Sequence, residues 1–111
     1  MLSAVLIGGC GHTHVVGSSR TVDVALTEYR LIPQDVRASA GQVTLVVHNY
    51  GRLTHNFVVS LDGQQQGQTP PLAPGDSVGL TLTLSPGTYS MASTLLSDQA
   101  LGAYGTLKVT R

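Results

Sequence analysis

The chain has 111 residues, enough for one domain, with six basic and six acidic side chains and a net charge of zero. Without a Lys/Arg cluster it lacks the electrostatic footprint of a nucleic-acid binder. A hydrophobic content of 41% excludes disorder by composition, no apolar run reaches the length of a membrane-spanning helix, and a single Cys excludes an internal disulfide or a multi-cysteine metal cage. The abundance of Val, Thr and Gly beside one Lys favours strands and turns over helices.

In chain order, Met1 to Gly9 is an apolar stretch followed by Cys10. Leu2 to Ile7 is too short to span a bilayer and reads as the core of an export signal, although no Lys or Arg precedes Arg20. Ile7-Gly8-Gly9-Cys10 resembles a bacterial lipobox, in which the cysteine is acylated and becomes the new N-terminus. The expectation is therefore a signal over 1–9, lipidation at Cys10, and an exported protein held at the membrane of a bacterial envelope. Residues 10–20, with His12, His14, Gly17, Ser18 and Ser19, read as a flexible tether, leaving a domain over 21–111.

Thr21–Thr27 alternates strictly, with Val22, Val24 and Leu26 on one face. Asp35–Ala40 places Val36 and Ala38 together, and Val43–Tyr50 aligns Val43, Leu45 and Val47, which turns His48 outward. Thr54–Leu61 is the next expected strand; Asp62–Gln68 reads as a polar loop, and Pro70, Pro71, Pro74 and Gly75 as a stiff connection. Val78–Leu84 alternates again, Gly87–Ser93 follows the Ser85-Pro86-Gly87 turn, Thr94–Ala103 is a loop, and Tyr104–Thr110 closes the chain with Leu107 and Val109 inward. Seven or eight short strands with turns at such spacing predict an all-β, two-sheet sandwich.

The landmarks of this pattern are Leu31-Ile32-Pro33 before Ala40-Gly41, the strand end His48-Asn49-Tyr50-Gly51, Thr54-His55-Asn56-Phe57, Leu72-Ala73-Pro74-Gly75, Pro86-Gly87-Thr88-Tyr89, and Gly102 with Gly105-Thr106-Leu107. Together they resemble those of the cupredoxins, the small blue-copper proteins. The resemblance implies a cupredoxin-like Greek-key sandwich over about ninety residues. It also implies a copper site of two His, one Cys thiolate and a weak axial Met, with His55 at the first histidine position. The family spacing Cys-x4-His-x4-Met falls here on Ser93, Asp98 and Ala103. Serine and alanine supply no thiolate or thioether, so the expectation is a degenerate site without type-1 copper and without a resident cofactor.

Three other readings follow from the same residues. His55 with Asp98, joined or not by His12 and His14, would make a copper- or zinc-handling protein, although a structural zinc site wants four ligands. An electron carrier would need the missing thiolate. His55, Ser93 and Asp98 also spell a hydrolytic triad, but the sequence offers neither nucleophile elbow nor oxyanion hole, so no catalysis is expected. In the resembling proteins the apolar rim of the copper loop docks partners; Leu53, Leu95, Leu96 and Leu101 would form such a rim here, for an unidentified envelope protein or ligand. An Asp98 carboxylate beside His55 is a further expectation, as is a tie between the two loops through Asn56 and Thr94.

Overall fold

The computed structural model describes residues 13–95 and 101–111. The expectations placed on residues 1–12, including Cys10 and His12, and on Leu96 and Asp98 lie outside the described residues.

Ten strands are present among them: β1 (Thr13–Val15), β2 (Thr21–Thr27), β3 (Arg30–Ile32), β4 (Asp35–Ser39), β5 (Gly41–Asn49), β6 (Val58–Leu61), β7 (Gln64–Gln68), β8 (Ser77–Leu84), β9 (Gly87–Ala92) and β10 (Tyr104–Thr110). They form a six-stranded sheet in the order β1-β4-β10-β9-β6-β7 and a four-stranded sheet in the order β3-β2-β5-β8. Both sheets are mixed: β1 and β10 run parallel to β4, and β2 runs parallel to β5.

The inward rows are those the alternation predicts. Val22, Val24 and Leu26 from β2, Val43, Leu45 and Val47 from β5, Val36 and Ala38 from β4, and Leu107 and Val109 from β10 are all buried. Phe57, Met91 and Leu31 complete the core between the sheets. Because successive side chains on a strand point to opposite faces, the same pattern leaves Thr, Ser and charged residues on the outside. His48 lies on the outer face, stacked on Tyr50 with ring centroids 5.6 Å apart and with Nε2 3.5 Å from Asp23. At one corner, the Arg20 guanidinium binds the Ser39 carbonyl (2.6 Å), the Ser39 hydroxyl (2.7 Å) and the Gln42 carbonyl (3.1 Å), pinning the entry of β2 to the β4–β5 turn.

Three local expectations are corrected. Residues 13–15 do not form a tether: they pair with Asp35–Arg37, and Val16 enters the core, its amide bound to the Arg37 carbonyl at 2.8 Å. The stretch Asp62–Gln68 is not a loop throughout. Asp62 (φ 50°) and Gly63 (φ 80°) make a two-residue turn of positive φ, and Gln64–Gln68 returns along β6 with Leu61 opposite Gln64. The segment 54–57 is not part of β6. His55 and Leu72 exchange backbone hydrogen bonds as an isolated bridge (3.1 and 2.7 Å), and Phe57 pairs with Thr69 through its carbonyl and the Thr69 hydroxyl. This departure turns His55 inward at one end of the sandwich.

Candidate functional site

The end of the sandwich that carries His55 is built from the β2–β3 turn, the segment 49–57, the chain leaving β9 and the chain entering β10. His55, Ser93 and Ala103 are each fully buried there. The Ser93 amide donates to the Ala103 carbonyl at 3.0 Å, which closes the loop between β9 and β10 at its base.

The tie between the two loops is made by Asn56. Its side-chain oxygen accepts the Thr94 amide at 2.7 Å, and its side-chain amide donates to the Thr94 hydroxyl at 2.9 Å. The Asn56 amide donates to Ser93 Oγ at 3.3 Å. Asn49, fully buried, holds the other side of the segment. Its Nδ2 donates to the Leu53 carbonyl (2.9 Å) and the Leu72 carbonyl (2.8 Å), and its oxygen accepts the Gly51 amide (2.8 Å). Each polar side chain thus satisfies several backbone groups of an irregular segment, as burial requires.

The carboxylate that meets His55 among the described residues is Glu28, which the sequence reading did not single out. His55 Nε2 lies 2.6 Å from Glu28 Oε2. The same carboxylate accepts the Arg52 amide at 2.7 Å and the Leu53 amide at 3.2 Å. Those contacts hold the Glu28 carboxyl below its ordinary pKa; the Arg52 amide contributes most, then the His55 hydrogen bond, against an opposing desolvation. A carboxylate is an acceptor only, so in this contact Nε2 carries the proton. The histidine side chain is 0% exposed and that of Glu28 22%, so the carboxylate lids the ring from the solvent side.

Gly51 makes room for this arrangement. A Cβ there would stand 2.0 Å from Glu28 Oε2 and 3.0 Å from His55 Nε2. The Asn-x-Gly motif at 49–51 is visible in the sequence as a turn. Nothing in local spacing links it to Glu28, which ends an alternating strand and reads as a turn residue.

Chemically the site is a hydrogen-bonded plug. Among the described contacts, Ser93 Oγ accepts the Asn56 amide and Glu28 holds the Nε2 side of the His55 ring. At the positions implied for copper, the described side chains present an imidazole, a hydroxyl and a methyl, all at zero exposure. The one cysteine of the chain is Cys10. A trigonal thiolate site needs a soft sulfur donor that these positions do not hold, so the residues present do not fit type-1 copper. No cluster of three or more His, Cys, Asp or Glu occurs among the described residues. His14 sits exposed on β1, far in sequence and sheet order from β9.

Around the plug, Leu53 is 45% and Leu101 54% exposed, whereas Leu95 is half-buried. Tyr29, next to Glu28, is also exposed; its carbonyl would lie 2.7 Å from a Cβ on Gly102 (φ 124°), so that glycine lets Leu101 and the β2–β3 turn approach each other.

Residues 1–103 match the family model of the cupredoxin-like domain. Several solved structures share the fold. Auracyanin from the photosynthetic bacterium Roseiflexus castenholzii superposes with a TM-score of 0.77 at 22% identity, covering 86% of this chain and 100% of its own. Auracyanin A, a "blue" copper protein from the green thermophilic photosynthetic bacterium Chloroflexus aurantiacus, gives 0.71 at 18% identity over 86% and 99% of the two chains. A purple cupredoxin from Nitrosopumilus maritimus gives 0.62 at 16% identity over 80% and 99%. No curated protein matches the sequence significantly.

Proposed function

Because the chain belongs to the cupredoxin-like domain family, we propose that it is a member in which the copper pocket has become a structural plug. In this reading it serves as a non-catalytic binding or accessory module of the bacterial envelope. The observation that carries the reading is the state of the two positions where sulfur would be required. Ser93 is fully buried and hydrogen-bonded with Asn56, and Ala103 is fully buried with no donor atom. Neither type-1 copper nor electron transfer by that route follows from such a pocket. The rim of Leu53 and Leu101 beside Tyr29 is the surface that would meet a partner.

The test is calorimetry with Cu(II) and Zn(II), and Cu(I) under anaerobic conditions, on the full chain beside His55→Ala, Asp98→Asn and a His12→Ala/His14→Ala double variant. The expected result is no stoichiometric heat that depends on His55 or Asp98, and no intense visible absorption on adding Cu(II). Tight one-to-one binding lost in both His55→Ala and Asp98→Asn would overturn the reading in favour of metal handling at the old pocket. Loss only in the double variant would place metal in the N-terminal segment instead.

The envelope location rests on Cys10. In this reading the cysteine carries the acyl chain and tethers the domain to the membrane. Metabolic labelling with a fatty acid in a bacterial host is expected to mark the chain and to be lost in Cys10→Ser. Equal labelling of both would remove the anchor.

A further inference from the structure

Among the described residues, the strand β8 ends the four-stranded sheet. Its eight residues, Ser77–Leu84, include no charged side chain and no proline. The other free edge on that side of the sandwich, β7, is also uncharged, with the sequence QQQGQ. On the opposite side the edges are three residues long and carry His14 (β1) or Arg30 (β3). Proteins guard exposed edges with charge, proline, bulges or brevity, because unpaired N–H and C=O groups template another strand. The short edges here follow that rule, and β8 does not.

The pairing with β5 fixes which groups of β8 are available. The Asn49 amide donates to the Asp76 carbonyl at 2.9 Å, and this pair continues the register that sets His48 opposite Ser77. Hydrogen-bonded pairs alternate along an antiparallel ladder. Val78, Leu80 and Leu82 therefore bond to β5, whereas Ser77, Gly79, Thr81 and Thr83 direct their N–H and C=O groups outward. The inner row of β8 is itself incompletely covered: Val78, Leu80 and Leu82 are only partly buried against the core. At Leu82 the cover is the backbone of β7, where a Cβ on Gly67 would stand 2.5 Å from the leucine methyl.

We infer that β8 pairs antiparallel with β8 of a second copy of this chain, about a two-fold axis, joining two four-stranded sheets into one of eight strands. A second copy is the occupant that the sequence of β8 suits. A two-fold pairing sets a strand against its own reverse, so any charge near its middle would meet its like, and there is none. The register that uses every outward group sets Gly79 opposite Thr81 of the second copy and Ser77 opposite its Thr83. It places Leu80 beside Leu80 of the second copy and Val78 beside its Leu82, so the half-covered apolar row becomes mutually covered. The contact is a strand edge and therefore smaller than a permanent interface, so the dimer is a dissociating one.

The test is sedimentation equilibrium of the full chain in reducing agent, which excludes dimers linked through Cys10. The chain is expected to show a concentration-dependent monomer–dimer equilibrium. Thr81→Pro removes an outward amide and no backbone bond to β5, losing on that side only the exposed hydroxyl contact with Thr44 (2.9 Å), and is expected to sediment as a monomer with an unchanged far-ultraviolet spectrum. Thr81→Lys and Thr81→Glu set like charges across the axis and are each expected to weaken association by about tenfold or more. An equimolar mixture of those two is expected to regain it. A chain that is monomeric at every concentration would overturn the inference. So would association that persists unchanged in Thr81→Pro and Thr81→Lys, because it would then run through another surface.

Discussion

The centre of the site is the contact between Glu28 and His55, and its dependence on Gly51 is a steric fact with a measurable consequence. An alanine at 51 would set a methyl 2.0 Å from Glu28 Oε2, so the carboxylate must leave the Arg52 amide, the His55 ring, or both. Gly51→Ala is therefore expected to lower the urea midpoint, and Glu28→Gln in the Gly51→Ala background to add little, since both act on one contact. The lowered pKa of Glu28 gives the pair a pH signature. A carboxyl depressed in the folded state contributes stability above its unfolded pKa, and that contribution is lost as the pH falls through the folded value. Unfolding midpoints measured from neutral to acid pH are expected to drop through that range, and the drop to be shallower in Glu28→Gln. Asn49 offers a second check. Its side chain is buried and serves two carbonyls and one amide, so Asn49→Ala leaves buried groups unpaired and is expected to cost about 1–3 kcal/mol in chemical denaturation. At this scale the sequence is half legible. Asn49-x-Gly51 and Asn56 with Thr94 stand out as turn and tie, because their partners are local or implied by the family pattern. Glu28 does not, because its partner is 27 residues away and reached only through the sandwich.

Among the elements, the strands with strict alternation were readable because a period of two has one physical meaning when one face is buried. The errors fall where another signal competed. Gln64–Gln68 lacks apolar residues, so composition suggested a loop, yet Asp62-Gly63 is the dipeptide favoured in two-residue hairpins and both residues have positive φ. The turn residue carried more information than the composition of the strand that follows it. Gly63→Val would place a β-branched side chain at φ 80°, and is expected to cost about 1–2 kcal/mol and to loosen β7, seen as faster amide exchange at Gln64–Gln68. Thr54–Phe57 failed in the opposite sense: its apolar end is continuous with β6, but His55 is drawn to Leu72 and Phe57 to Thr69, which no local pattern announces. Thr13–Val15 read as a tether because three residues are too few to show a period; parallel pairing with β4 supplies what local sequence lacks.

Across the whole molecule, the proposed reading has the scaffold of a copper pocket persisting where its donors do not. The Ser93 amide still bonds the Ala103 carbonyl, Asn56 still bridges to Thr94, and His55 is held by its backbone bridge to Leu72. If the pocket lacks only donor atoms, returning them should return the metal. The variant Ser93→Cys/Asp98→His/Ala103→Met is expected to bind Cu(II) with the intense visible band of a thiolate–copper bond. Ser93→Cys alone is expected to fall short of it, for want of the second imidazole. The graft also has a stability cost that fixes the sign of a second measurement. Methionine in place of the fully buried Ala103 overfills the site, at about 1–3 kcal/mol. The metal-free triple variant should therefore melt below the unmodified chain and recover on adding copper, because a ligand that binds only the folded state raises its stability. Copper that leaves both the spectrum and the melting temperature of the triple variant unchanged would mean that the segment between β9 and β10 no longer presents its residues in the family register. Loss of the metal site would then be a change of loop geometry as well as of donor identity.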